Sequence, residues 1–120
     1  MTADGTAREL EVRADTVGTV PVLAVSGEVD VVSAPRLREA VDEALRTAPK
    51  LLVLDLSGVG FLGSAGLSVL LAVSRAVPGG LRLVLSRQAR RPIEVTGMDE
   101  VLAVFDSVAA AVGEDPGLSR

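Results

Sequence analysis

The chain contains no cysteine and no histidine. Disulfides, thiol chemistry, Cys/His metal sites and histidine general-base catalysis are therefore excluded. Tryptophan and tyrosine are also absent, and only two phenylalanines occur. No aromatic platform exists on which nucleic-acid bases could stack. Positive charge is in deficit: 12 Lys and Arg against 16 Asp and Glu leave a net charge of −4. That balance argues against direct contact with nucleic acid or an anionic membrane. No uninterrupted apolar run reaches membrane-spanning length, and the polar N-terminus does not read as a signal peptide. The expected location is the cytoplasm.

What the chain does have is aliphatic bulk. Of its 120 residues 48% are apolar, mostly Val, Leu and Ala. This suffices for one domain with a real core, is too little for two, and excludes a disordered chain. The domain is expected over residues 8–112, with flexible termini at 1–7 and 113–120.

The stretch from Leu51 to Val77 organises the rest. Leu51–Leu56 is an apolar run broken by one Asp, the pattern of a strand covered on both faces. Ser57–Gly63 holds three glycines, which predicts a tight turn or the close approach of another surface. A helical pattern then runs from Ser64 until Pro78-Gly79-Gly80 stops it. Ser64 thus falls at a strand–turn–helix junction, at or next to the helix N-cap. Leu67, Leu70 and Leu71 form the stripe expected to pack on the sheet. Val69 and Val73 point away from it, as core under a neighbour or as part of a docking surface.

Upstream, Arg8–Ala14 alternates like a half-exposed strand and Asp15–Gly18 turns the chain. Val20–Val25 is a second strand, so the two make a hairpin. Ser26–Asp30 reads as a polar loop. Ser33-Ala34-Pro35 opens an amphipathic helix, with Ser33 as cap and Leu37, Val41 and Leu45 on its inner face. Downstream come a strand at Leu81–Leu85, a short helix at Ala89–Val95, a strand at Val101–Phe105, and a helix over Val108–Val112 capped by Asp106 or Ser107. The order β-β-α-β-α-β-α-β-α implies an α/β fold: a mainly parallel mixed sheet with an initial hairpin, covered by about four helices.

Two chemical readings compete for the glycine-rich segment. Gly58-Val59-Gly60-Phe61-Leu62-Gly63 fits G-x-G-x-x-G between a strand and a helix, the outline of a nucleotide site. A dinucleotide fold, however, places that turn after its first strand and an acidic residue about 20 residues on, where this chain reads Leu85-Ser86-Arg87. No Walker lysine follows the loop.

The other reading rests on three motifs: Gly27-Glu28-Val29-Asp30, Val53-Leu54-Asp55-Leu56-Ser57, and Phe61-Leu62-Gly63-Ser64-Ala65-Gly66-Leu67. Together they resemble a STAS domain of the bacterial anti-sigma-factor-antagonist type, over roughly residues 8 to 112. The resemblance implies a non-enzymatic switch with no cofactor and no metal. Such a protein binds an anti-sigma factor that is also a serine/threonine kinase, and so frees the sigma factor. Phosphorylation of the serine in the last motif, here Ser64, releases the partner, and a phosphatase resets it. The partner-facing residues implied are Glu28, Asp30, Gly63, Ser64, Ala65 and Gly66, with Val69 along the helix. The family loop usually reads Phe-(Met/Leu)-Asp-Ser-(Ser/Thr)-Gly-Leu. Here Gly63 stands for the Asp, with freedom to adopt φ > 0. Ala65 stands for the second hydroxyl residue, which leaves Ser64 the sole acceptor in the loop. Asp55, inside an apolar strand, is expected to bond local backbone or a neighbouring loop.

Overall fold

The computed structural model describes residues 8–113. Of the termini expected at 1–7 and 113–120, residues 1–7 and 114–120 lie outside the described residues. Five strands lie side by side in chain order, β1 (Glu11–Val17), β2 (Val20–Val29), β3 (Leu52–Leu62), β4 (Leu81–Leu85) and β5 (Ala103–Phe105). β1 and β2 are antiparallel and every other neighbouring pair is parallel. Four helices, α1 (Ala34–Ala44), α2 (Ser64–Ala76), α3 (Arg87–Val95) and α4 (Val108–Val112), follow β2, β3, β4 and β5 in turn.

The strand alternation divides the core. Leu23, Val25, Leu52, Leu54, Leu56, Leu81 and Leu83 face a large cluster closed by Leu37 and Val41 of α1, Leu70 and Val73 of α2, and Ala89 and Ile93 of α3. The residues between them, Val22, Val53 and Val84, face the other way and meet Ala111 of α4. β3 is therefore covered on both faces, as its apolar run implies. Arg82 serves the second face: its guanidinium lies 5.3 Å from the Phe105 ring centroid and donates to the Ala111 carbonyl at 2.8 Å. It thus ties the last turn of α4 to the sheet by a charge-assisted hydrogen bond at the negative end of the helix.

Several boundaries differ from the sequence expectation. β1 runs to Val17, because the turn is only Gly18-Thr19, with Gly18 at φ +64°. β2 and β3 continue through the segments expected to be loop and turn. Ser26–Val29 and Ser57–Leu62 pair with each other instead, across two register shifts. Ala24 and Ser26 face Asp55 and Gly58, and Gly27 and Glu28 face Val59 and Phe61, so each shift puts one extra residue on β3. Bulges of this kind leave the strand intact while changing its phase. Gly27 has φ +97°, and a Cβ there would collide with the Glu9 carbonyl. Among these glycines it is the one for which the backbone demands the residue. α3 begins at Arg87, two residues earlier than expected, because the Ser86 hydroxyl accepts the Ala89 N–H at 3.0 Å. β5 is shortened by a 3-10 turn at Met98–Glu100.

Candidate functional site

The C-terminal ends of β2 and β3 lie side by side and deliver their following segments to one place. Val29 pairs with Leu62, and the Gly63 N–H donates to the Val29 carbonyl at 2.9 Å. Asp30 and Val31 therefore sit against the start of α2. A shallow depression of about 310 Å³ is lined there by Asp30, Val31, Phe61, Gly63, Ser64, Ala65 and Ser68.

Ser64 is the first residue of α2, with Gly63 as N-cap in extended geometry (φ −91°, ψ −176°). Gly63 therefore does not use the left-handed region. Its lack of a side chain matters for space: a Cβ would lie 3.0 Å from Cε2 of Phe61. Ser64 is exposed, and among the described residues its hydroxyl makes no hydrogen bond. The first helical bond of α2 runs from the Leu67 N–H to the Gly63 carbonyl. The N–H groups of Ser64, Ala65 and Gly66 thus precede the helical ladder and aim toward the depression, at the positive end of the helix dipole.

Asp30 is built into the start of α1. Its Oδ1 accepts from the N–H groups of Val32 (3.0 Å) and Ser33 (2.9 Å). The Asp30 N–H donates to Ser33 Oγ at 3.0 Å. Ser33 Oγ lies 2.7 Å from the Glu28 carbonyl oxygen and 3.1 Å from Asp30 Oδ1, and its single proton is donated most fully along the shorter bond to Glu28. Ser33, expected as a side-chain cap, makes no capping bond; the Asp30 carboxylate instead holds the N–H groups just ahead of the helix, and the Asp30 backbone carbonyl accepts the Ala34 N–H at 2.8 Å. The Ser33 N–H holds the Asp30 carboxyl below its ordinary value of 3.8, with the Ser33 hydroxyl and Val32 N–H adding and partial desolvation opposing. Asp55 Oδ1 accepts the Ser57 N–H at 3.0 Å, a bond to local backbone.

Not every expected contact residue shares the depression. Glu28 points to the opposite face of the strand, beside Arg8, Gly58, Gly60 and Gln88. Gly66 is buried, and a Cβ there would come within 2.7 Å of Leu62 and Val29 side-chain carbons. Its glycine lets α2 lie close on β2 and β3 and gives no surface to a partner. Val69 is half-buried against the main core. Conversely, two large apolar residues line the site in the open, Val31 at 76% exposure and Phe61 at 47%, and Val32, next in the chain, is 82% exposed. The available signal was the pair Val31-Val32, apolar residues set in an otherwise polar connection.

The glycine pattern does not form a phosphate cradle. Gly58 and Gly60 lie within β3, and only Gly63 separates that strand from α2. The wrapped turn that a nucleotide pyrophosphate needs is absent, so the nucleotide reading is not favoured.

The STAS domain profile matches residues 11–111. The chain belongs to the STAS domain family. Within that family it is 38% identical over 96 residues to the anti-sigma-F factor antagonist RsfB of Mycobacterium tuberculosis, covering 78% of this chain and 79% of that protein. The crystal structure of an anti-sigma factor antagonist from Mycobacterium paratuberculosis superposes with TM-score 0.82 at 34% identity, covering 87% of this chain and 92% of that one. The unphosphorylated form of the anti-sigma factor antagonist SpoIIAA shares the fold at TM-score 0.64 and 18% identity, covering 79% and 88%. The five-stranded mixed sheet with its initial hairpin is thus the STAS architecture.

Proposed function

We propose that this STAS domain is an anti-sigma factor antagonist. It binds an anti-sigma factor serine/threonine kinase through the depression at Ser64 and is released when Ser64 is phosphorylated. The single observation that carries the reading is the setting of Ser64: an exposed, unengaged hydroxyl at the first turn of α2, in a depression shared with the exposed side chains of Val31 and Phe61. The relatives named above support the antagonist role.

The chemistry follows from the surroundings. The Ser64 oxygen attacks the γ-phosphorus of ATP held by the kinase, ADP leaves, and the hydroxyl proton passes to a base on the kinase. The product carries about −1.5 to −2 charge at neutral pH. The free N–H groups of the first α2 turn tolerate that anion, so the fold survives. None of the residues lining the depression is a Lys or Arg, and Asp30 is already anionic there. The new charge therefore finds no internal ion-pair partner. It stays on the surface, where it repels an acidic or apolar partner. A phosphatase that removes it restores binding. Asp30, Gly63, Ser64 and Ala65 form the centre of the proposed contact. Glu28 lies outside that contact, beside Arg8 and Gln88, and Gly66 and Val69 support the contact from beneath.

The test is incubation with candidate kinases and ATP, with phosphate mapped by mass spectrometry. Ser64 should carry it, Ser64→Ala should stay bound to the kinase, and Ser64→Asp should bind weakly. Phosphate on Ser57 or Ser68, with uptake persisting in Ser64→Ala, would overturn the assignment.

A further inference from the structure

Strand β1 is an open edge of the sheet: β2 lies on one side, and no strand among the described residues lies on the other. The hairpin fixes which groups that edge offers. Val17 and Val20 flank the two-residue turn, and a pair closing such a turn exchanges both backbone hydrogen bonds. Alternation then points the N–H and C=O of Arg13 and Asp15 toward β2, and those of Val12, Ala14 and Thr16 outward.

We infer that β1 is an interface between two copies of this chain. They pair antiparallel about a dyad at Ala14, so that two five-stranded sheets become one. In that register Ala14 faces its own copy and Val12 faces Thr16, all as hydrogen-bonded pairs. Arg13 of each copy faces Asp15 of the other at the non-hydrogen-bonded position, where side chains come closest. The next allowed register on one side sets Arg13 against Arg13 and Glu11 against Asp15. On the other side it sets Asp15 against Asp15. Like charges disfavour both. Charge thus selects the register in which the seven residues of β1 overlap completely.

Two further features fit. In the single chain the Asp15 carboxylate accepts the outward N–H of Thr16 at 2.8 Å. Pairing passes that donor to the Val12 carbonyl of the second copy and frees the carboxylate for Arg13. On the α1 side, Val12 and Ala14 join Leu23, Ala40 and Ala44 around a groove of about 380 Å³. The second copy's Val12 and Thr16 extend the apolar floor of that groove. No residue lining the Ser64 depression lies on β1, so the dimer leaves both acceptor sites open.

Sedimentation equilibrium of the full chain at low and high salt tests this. A monomer–dimer equilibrium weakened by salt is expected. Arg13→Asp and Asp15→Arg should each weaken it by about tenfold or more, and the double exchange should restore it by recreating opposite charges across the dyad. Ala14→Pro removes the central outward N–H without touching the β1–β2 ladder, and should sediment as a monomer with its thermal midpoint retained. Ser64→Asp should dimerise like the parent, which separates this result from the role of Ser64. A chain that stays monomeric at low salt, or a dimer indifferent to Ala14→Pro and both charge reversals, overturns the inference.

Discussion

Asp30 sets a pH dependence at the scale of one residue. Its carboxylate is stabilised in the folded state by the N–H groups of Ser33 and Val32 and by the Ser33 hydroxyl, which lowers its folded pKa. A carboxylate depressed by folding contributes stability above its unfolded pKa, and that contribution is lost as pH falls through the folded value. Asp30→Ala should therefore lower the thermal midpoint at neutral pH. The gap to the parent should close as pH falls below the ordinary carboxyl value of 3.8. A gap that stays constant down to strongly acid pH would show that the bonds to α1 are not the source. The residue was legible as a site candidate from its motif. Its engagement with Ser33 was not, because Ser33 followed by Pro35 reads as an ordinary N-cap, and only the path of the chain after Val29 turns the carboxylate onto it.

At the scale of the element, β3 and α2 show where periodicity misleads. The buried residues of β3 are Leu52, Leu54, Leu56, Val59 and Leu62, with Val53 also buried. Spacing is two up to Leu56 and three beyond it, because each register shift inserts one residue. A run with three glycines and no alternation reads as a turn, so the residue pattern alone ends the strand at Leu56. In α2 the buried stripe is Gly66, Leu70 and Val73, with Val77 just beyond. The expected stripe of Leu67, Leu70 and Leu71 gave weight to leucines and missed that a glycine can mark the closest contact. The helix is rotated so that Val73 is core and Leu71 half-buried. Val69 packs partly against that core. Val69→Glu should then destabilise the fold by about 1–3 kcal/mol, by burying part of a carboxylate. Chemical denaturation reads this directly; an unchanged midpoint with lost kinase binding would make Val69 purely a contact residue.

For the whole molecule, the order of strands and helices was readable because short apolar runs alternate with longer, helically spaced segments and Pro and Gly punctuate the joints, even where the boundaries were not. The unequal covering of the sheet was not readable. Three helices close one face, whereas α4, five residues long, covers Val22, Val53 and Val84 on the other. Ala111 is fully buried there, so Ala111→Glu should lower stability by about 2 kcal/mol or more, with Ala110→Glu, on the exposed side, near neutral. Equal effects of the two would place α4 wrongly. The strand order has a consequence for biosynthesis. Because spatial order equals chain order, no later strand must insert between earlier ones. The sheet can grow at one edge as the chain leaves the ribosome, with each helix closing over the strand before it. The exception is the second face, whose cover arrives only with Val108–Val112. A nascent chain therefore carries Val22, Val53 and Val84 uncovered until α4 has emerged, and the docking of that short helix, more than any earlier step, completes the fold.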